Sequence, residues 1–365
     1  MGLQLVSPNT NINFVGLKKI AFIFSLSLIL IGLFSLVVKG GLKYGIDFAG
    51  GVVVQIRFED KIELDELKHI LKEKGVHGIS VQRFGAAGEH EYLLRSVLAS
   101  DKDGSKTLRL QVTQALNSKY AGAYEIQRLE MVGPKVGADL RSKALEAMFY
   151  AVLLIAIYIS GRFEKRWWTA GFMAAGLAGG IYLLQLLSLP KEYLIFAAMF
   201  ITLALCWYLK LSYALGAVVA LIHDVLVTIG LFSLLDKEFD LTIVAALLTI
   251  IGYSLNDTII IFDRVRANLR GKMNGQPLPA VINKSVNQTL SRTLLTSGTT
   301  LFVVLALFFF GGGVIHDFAL ALLVGVIIGT YSSIYIASTI LLGFGVQAEE
   351  DEKNGDGKDS MGAVV

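Results

Sequence analysis

The sequence holds a single cysteine, Cys206, set inside an apolar run. One thiol excludes an intramolecular disulfide and any multi-cysteine metal site, and Cys206 reads as a small buried apolar side chain. Charge is scarce as well. Asp, Glu, Lys and Arg make up 17% of the chain, against about 25% in soluble globular proteins. Catalytic signatures are missing: there is no Ser, Cys or His triad pattern, no phosphate-binding loop and no zinc spacing. Gly50-Gly51 follow Asp47 with neither the spacing nor the helix of a nucleotide loop. These absences argue against a soluble enzyme, against a bound cofactor and against ATP use. The net charge of +3 is small and says little about partners.

What is abundant is apolar surface. Hydrophobic residues reach 54% and are concentrated in runs such as Ile20–Val38, Leu301–Phe310 and Leu320–Ile328. Roughly 18 consecutive apolar residues cross about 30 Å of hydrocarbon as a helix. The pattern predicts a membrane α-helix bundle. The first run is longer than the roughly 7–15 residues of a signal-peptide core, and Val37-Val38-Lys39-Gly40-Gly41 lacks a small-x-small cleavage site. It therefore reads as a retained transmembrane helix at 17–39, with residues 1–16 as a cytoplasmic N-terminus.

Residues 40–140 differ in kind. Val52–Phe58 reads as a strand rich in β-branched residues. Glu63–Lys74 spaces Leu64, Leu67, Ile70 and Leu71 as one helix face, stopped by Gly75. Val76–Phe84 and Glu91–Val97 read as strands around the Gly85-Ala86-Ala87-Gly88 turn. Leu108–Tyr120 reads as a second helix and Tyr124–Val132 as a fourth strand. The order β-α-β-β-α-β predicts an inserted α+β ferredoxin-like domain. The positive-inside rule places it in the periplasm.

After Gly133-Pro134 the chain returns to the membrane, and 141–345 reads as the rest of the bundle. Apolar helices are expected near 141–160, 169–189, 193–211, 213–235, 241–263, 292–312 and 316–343, about eight in all with the first. Arg162, Lys165 and Arg166 share one loop, and Arg264, Arg266, Arg270, Lys272 and Lys284 another; both are cytoplasmic on this topology. Trp167 and Trp168 sit beside the first, as an interfacial aromatic belt would. The loops at Pro190–Glu192, Asp236–Asp240 and Gly311–Asp317 face outward, with Asp317 as a helix N-cap. The tail 346–365 is acidic, lacks core formers and reads as a disordered cytoplasmic end. The bilayer is thus the first partner, and both termini are cytoplasmic.

A few charges fall where lipid should be. Asp224 follows His223 near the middle of its helix. Asn256 and Asp257 lie one turn beyond Tyr253, roughly 24 Å into the next helix. Arg292 stands at the cytoplasmic start of the helix after that. An ionised group at the bilayer centre costs at least about 2.5–3.5 kcal/mol, so such residues face a bundle interior and find partners. Asp257 can be a proton carrier that pairs with Arg292, or a purely structural ion-pair partner. Asp224 can carry protons, or brace the bundle through His223 and nearby hydroxyls.

Several stretches, taken in order, resemble the SecF family, the smaller membrane partners of SecD in bacterial protein export, within the resistance-nodulation-division (RND) superfamily. They are Tyr44-Gly45-Ile46-Asp47-Phe48-Ala49-Gly50-Gly51, Val132-Gly133-Pro134-Lys135-Val136-Gly137, Ala220-Leu221-Ile222-His223-Asp224, Gly252-Tyr253-Ser254-Leu255-Asn256-Asp257-Thr258, Phe262-Asp263-Arg264-Val265-Arg266 and Ser291-Arg292-Thr293-Leu294-Leu295-Thr296-Ser297. The resemblance implies an RND-like bundle paired with a SecD-like subunit in the bacterial inner membrane. It implies use of the proton-motive force to help unfolded polypeptides through the SecY-SecE-SecG channel after SecA has pushed, with a YajC-like small subunit nearby and no role for nucleic acid. It assigns Asp257 and Arg292 to the proton path. Asp224 joins them on the burial argument, with Asn256, His223 and Tyr253 in support. It makes the segment with Gly45, Asp47, Phe48, Gly50 and Gly51 a domain–membrane hinge, although the residues alone fit an ordinary turn equally well. Members usually have six transmembrane helices, so the stretch near 169–211 is an apparent extra helical hairpin. A small-molecule or lipid exporter of the same superfamily, and a non-transporting assembly subunit, are the rival readings.

Overall fold

The structure, a computed structural model, describes residues 10–76, 79–84, 88, 90–96, 104–164, 168, 171–172, 174–176, 179, 191–271, 273 and 275–345. Helix α1 is Lys18–Val38. Its large side chains Phe22, Ile23 and Phe34 are exposed, while Ala21, Ser25, Gly32 and Ser35 are buried. Small residues bring α1 against α7 (Ser212–Leu234). A Cβ on Gly32 would lie 2.7 Å from the Gly230 Cα, and Ser35 Oγ and Ser233 Oγ are 2.8 Å apart. Close backbone approach with hydroxyl bonds is how helices associate where lipid offers no hydrophobic drive.

A single-turn helix, α2 (Ile46–Ala49), leads into the α+β domain. Strands β1 (Gly51–Phe58), β2 (Ile79–Phe84), β3 (Glu91–Ser96) and β4 (Tyr124–Val132) form one antiparallel sheet in the order β2-β3-β1-β4. That is the ferredoxin-like order expected. Helices α3 (Leu64–Glu73) and α4 (Gly104–Tyr120) cover one face. Val52, Val54 and Ile56 point from β1 into a core with Leu67, Leu71, Leu94, Val112 and Leu116. The expected strand 76–84 begins at Ile79, and the turn at 85–87 lies outside the described residues.

Helix α5 (Pro134–Glu164) starts earlier than residue 141. Pro134 has no N–H to leave unpaired and opens the helix directly after Gly133. Helix α6 (Lys191–Tyr208) is the second member of the expected hairpin; most of the first, 169–189, lies outside the described residues, as do Trp167, Pro190 and the tail from 346. Helix α8 is Leu241–Arg270, capped by Asp240, whose Oδ1 accepts from Ile243 N at 3.0 Å. Helix α9 (Leu278–Phe310) begins well before 292. Helix α10 (Gly312–Ser332) runs through a π-helical turn, Ser333–Ala337, into α11 (Ser338–Phe344). Asp317 is therefore inside α10 and not its N-cap. Its carboxylate instead accepts from Lys237 Nζ at 2.7 Å.

Among the described residues six helices are long and apolar enough to cross a membrane, and Phe196–Tyr208 is a shorter apolar one. Helices α8 and α10 meet through Gly325 and Gly329. A Cβ on Gly329 would lie 2.9 Å from the Ser254 Cβ. That contact brings the polar groups of the two helices together.

Candidate functional site

Asp224 and Asp257 are each 1% exposed. Asp224, on α7, is met from three helices. His223 Nδ1 lies 3.0 Å from Oδ1, Ser254 Oγ donates to Oδ2 at 2.6 Å, and Ser332 Oγ donates to Oδ2 at 2.8 Å. The serines come from α8 and from the end of α10, just before the π-helical turn. Such turns recur at functional sites because they re-aim side chains within a continuous helix. His223 Nε2 is buried without a hydrogen-bond partner.

Asp257 lies one turn beyond Ser254 on α8. Ser297 Oγ, from α9, donates to its Oδ2 at a long 3.2 Å and sits 2.7 Å from Thr330 Oγ1 of α10. Its Oδ1 is buried without a partner, as are Thr293 Oγ1 and Tyr253 Oη. An unsatisfied buried polar group costs about 1–3 kcal/mol, more when charged.

The expected Asp257–Arg292 pair does not form. Arg292 is exposed and lines a cavity of about 810 Å³ with Tyr158, Arg162, Asn256, Asp263 and Gln288. The reason is angular: Thr293, its neighbour, points inward, and residues adjacent on a helix face different ways. Asn256 likewise faces outward while Asp257 faces inward. Asp263, at the same end of the bundle, pairs with Arg162 at 2.7 Å. Sequence reasoning missed Ser254, Ser297, Thr330 and Ser332. Their signal was hydroxyls within apolar runs, with Ser254 three residues before Asp257.

The segment around Gly50 is a packed junction. Asp47 Oδ2 accepts from Leu241 N at 3.1 Å, at the first turn of α8. Phe48 is buried among Phe232, Phe239, Ile243 and Leu247. Gly45 N donates to Phe239 O at 2.9 Å. Gly50 and Gly51 have φ of 75° and 131°, in the region that favours glycine. A Cβ on Gly50 would also lie 2.8 Å from the Pro134 Cα. The two chain segments leaving the domain thus cross in contact.

Comparison with known families matches residues 111–183 and 191–347 to the protein export membrane protein SecD/SecF C-terminal family, and residues 34–62 to the SecD/SecF GG motif. The chain belongs to the SecD/SecF family. It is 39% identical to a protein translocase subunit SecF of Vibrio alginolyticus over 98% of this chain and 99% of that one. It is 42% identical to that of Magnetococcus marinus over 93% and 94%, and 38% identical to that of Escherichia coli O157:H7 over 85% and 80%. It superposes on the crystal structure of SecDF, a translocon-associated membrane protein from Thermus thermophilus, with a TM-score of 0.72 and 31% identity over 93% of this chain. The chain spans 39% of that larger protein. As a SecD/SecF member with several apolar spans, the chain is a multi-pass membrane protein of an export family, not of an enzyme class. The junction around Gly50 lies within the matched GG motif, and both buried aspartates lie within the matched C-terminal region.

Proposed function

We propose that this chain is the SecF-type subunit of a SecD–SecF machine that uses the proton-motive force to assist polypeptide passage through the SecY channel. The observation that carries the reading is Asp257: a carboxylate in the middle of a spanning helix, buried, with one oxygen unpartnered. Its hydrogen-bond needs change with each proton gained or lost, so the packing around it can follow its protonation. Moving one charge across 100 mV yields about 2.3 kcal/mol, sufficient to bias a two-state bundle. Protons are the coupling ion.

A membrane partner is supported by the outward face of α8. Ala245, Thr249, Gly252 and Asn256 form an exposed stripe of small and polar residues, flanked by Arg292 on α9. Small and polar residues at helix surfaces serve packing against other helices. A SecD-like bundle seated there brings a further intramembrane acid near Arg292. The α+β domain is periplasmic and both termini cytoplasmic in this reading, because Arg162, Arg264, Arg266, Arg270 and Lys284 lie at the opposite end of the helices.

The test is export into proteoliposomes holding the SecD-like partner and channel, with and without a proton gradient. Asp257→Asn and Arg292→Met should assemble, retain ATP-driven export and lose the gradient-dependent part. Gradient-dependent export at the wild-type level in both variants would reduce the subunit to a scaffold.

A further inference from the structure

Five consecutive residues between α7 and α8 are tied to four parts of the molecule: the segment after α1, α10, the sheet and α8. Asp236 Oδ2 accepts from Lys43 Nζ at 3.0 Å, beyond the end of α1. Lys237 reaches Asp317 on α10. Glu238 turns to the soluble sheet, where Gln82 Nε2 of β2 donates to Oε1 at 2.9 Å and Arg95 of β3 pairs with Oε2. Phe239 bonds backbone to backbone with Lys43 and Gly45. Asp240 caps α8. Glu238 is thus the member of the five whose side chain grips the sheet.

The grip is positioned to come and go. Arg95 and Glu238 are only 12% and 18% exposed, so the pair is partly desolvated. It is nevertheless an ionic contact beside a cavity of about 710 Å³ between the open sheet face and the helix ends. Water can enter there and solvate both partners when they part. Among the described residues the domain is also joined to the bundle by the covalent connectors at Gly50-Gly51 and Gly133-Pro134, which touch each other and form one pivot. A body with one pivot and a separate ionic contact can take two positions, contact made and contact broken.

We propose that Glu238, with Arg95 and Gln82, is a releasable latch that holds the soluble domain down on the start of α8 and must open during each work cycle. Helix α8 carries Asp257 sixteen residues beyond Leu241, so a displacement of α8 reaches the latch without crossing a flexible segment. The need to open rests on the proton-coupled reading above; the latch itself does not.

Two experiments test it. On a Cys206→Ala background, spin labels at Lys68→Cys on α3 and Phe310→Cys at the end of α9 report the distance between domain and bundle. Glu238→Ala should broaden a single distance into two populations, and the swap Glu238→Arg with Arg95→Glu should narrow it again. One unchanged distance in Glu238→Ala overturns the latch. In the complete translocation system, Gln82→Cys with Glu238→Cys, joined by a reducible dithio-bismaleimide cross-linker, should lose the gradient-dependent export that reduction restores. Wild-type export by the cross-linked form overturns the requirement for release. The distance measurement needs no gradient, so a failed latch and a failed coupling reading give different results.

Discussion

Asp224 and Asp257 are equally buried, one helix apart, and their surroundings differ sharply. Asp224 is met by His223, Ser254 and Ser332, and both its oxygens are engaged. Asp257 has one long bond from Ser297 and an oxygen with no partner. A fully satisfied polar network rigidifies a core, whereas an unpaired buried polar group is costly. In the proposed reading the difference separates two roles that burial alone had merged: Asp224 ties α7, α8 and α10 together, and Asp257 is the group that changes state. Ser254 joins the two, since it holds Asp224 from a position one turn before Asp257.

The strongest way to break this comparison is to delete each carboxylate. Asp224→Leu removes the partner of His223 Nδ1 and Ser254 Oγ and one of two acceptors of Ser332 and should destabilise the bundle by on the order of 3 kcal/mol, whereas Asp257→Leu removes one long bond from Ser297, which keeps Thr330 as a partner, and should cost about 1 kcal/mol. Denaturant unfolding in bicelles measures both, and equal losses would erase the distinction. Next in size is Gly329→Val. Its side chain meets Ser254 and should push α10 from α8, costing about 1–3 kcal/mol by overpacking, with loss of the Ser254–Asp224 bond visible in hydrogen exchange at α8. Ser297→Ala sharpens the contrast functionally. It should lower stability by about 1 kcal/mol yet displace the pH profile of gradient-dependent export, while Ser332→Ala should leave that profile in place.

The smallest effect lies outside the bundle. Lys43 beside Asp236 holds its carboxyl below the usual range. A lowered folded value stabilises the fold above the ordinary aspartate range, and this is lost as pH falls through the lowered value. Carbon NMR of Asp236 should show a midpoint below that of an unfolded aspartate, and Lys43→Met should restore it. The exposed pair contributes little to stability.

Position along the apolar helices was legible in the sequence, and facing was not. The apolar runs located the spanning helices, and the β-α-β-β-α-β order matched the sheet. A charge inside an apolar run pointed to Asp224 and Asp257 because ionised groups there are costly. Arg292 was paired wrongly with Asp257, because its direction depends on how α9 is rotated in the bundle. Ser254, Ser297 and Ser332 look like any hydroxyl that tolerates a helix, and only the crossing of α8, α9 and α10 shows their aim. Glu238 reads as an ordinary loop acid until the sheet is docked above it.

The central claim is that Asp257, and not Asp224, gains and loses the proton. Difference infrared spectroscopy of the assembled complex, as a proton gradient is imposed, detects the carbonyl stretch of a protonated carboxyl. The account predicts a signal in the wild type that disappears in Asp257→Asn and persists in Asp224→Asn. A signal that survives in Asp257→Asn and disappears in Asp224→Asn would contradict it.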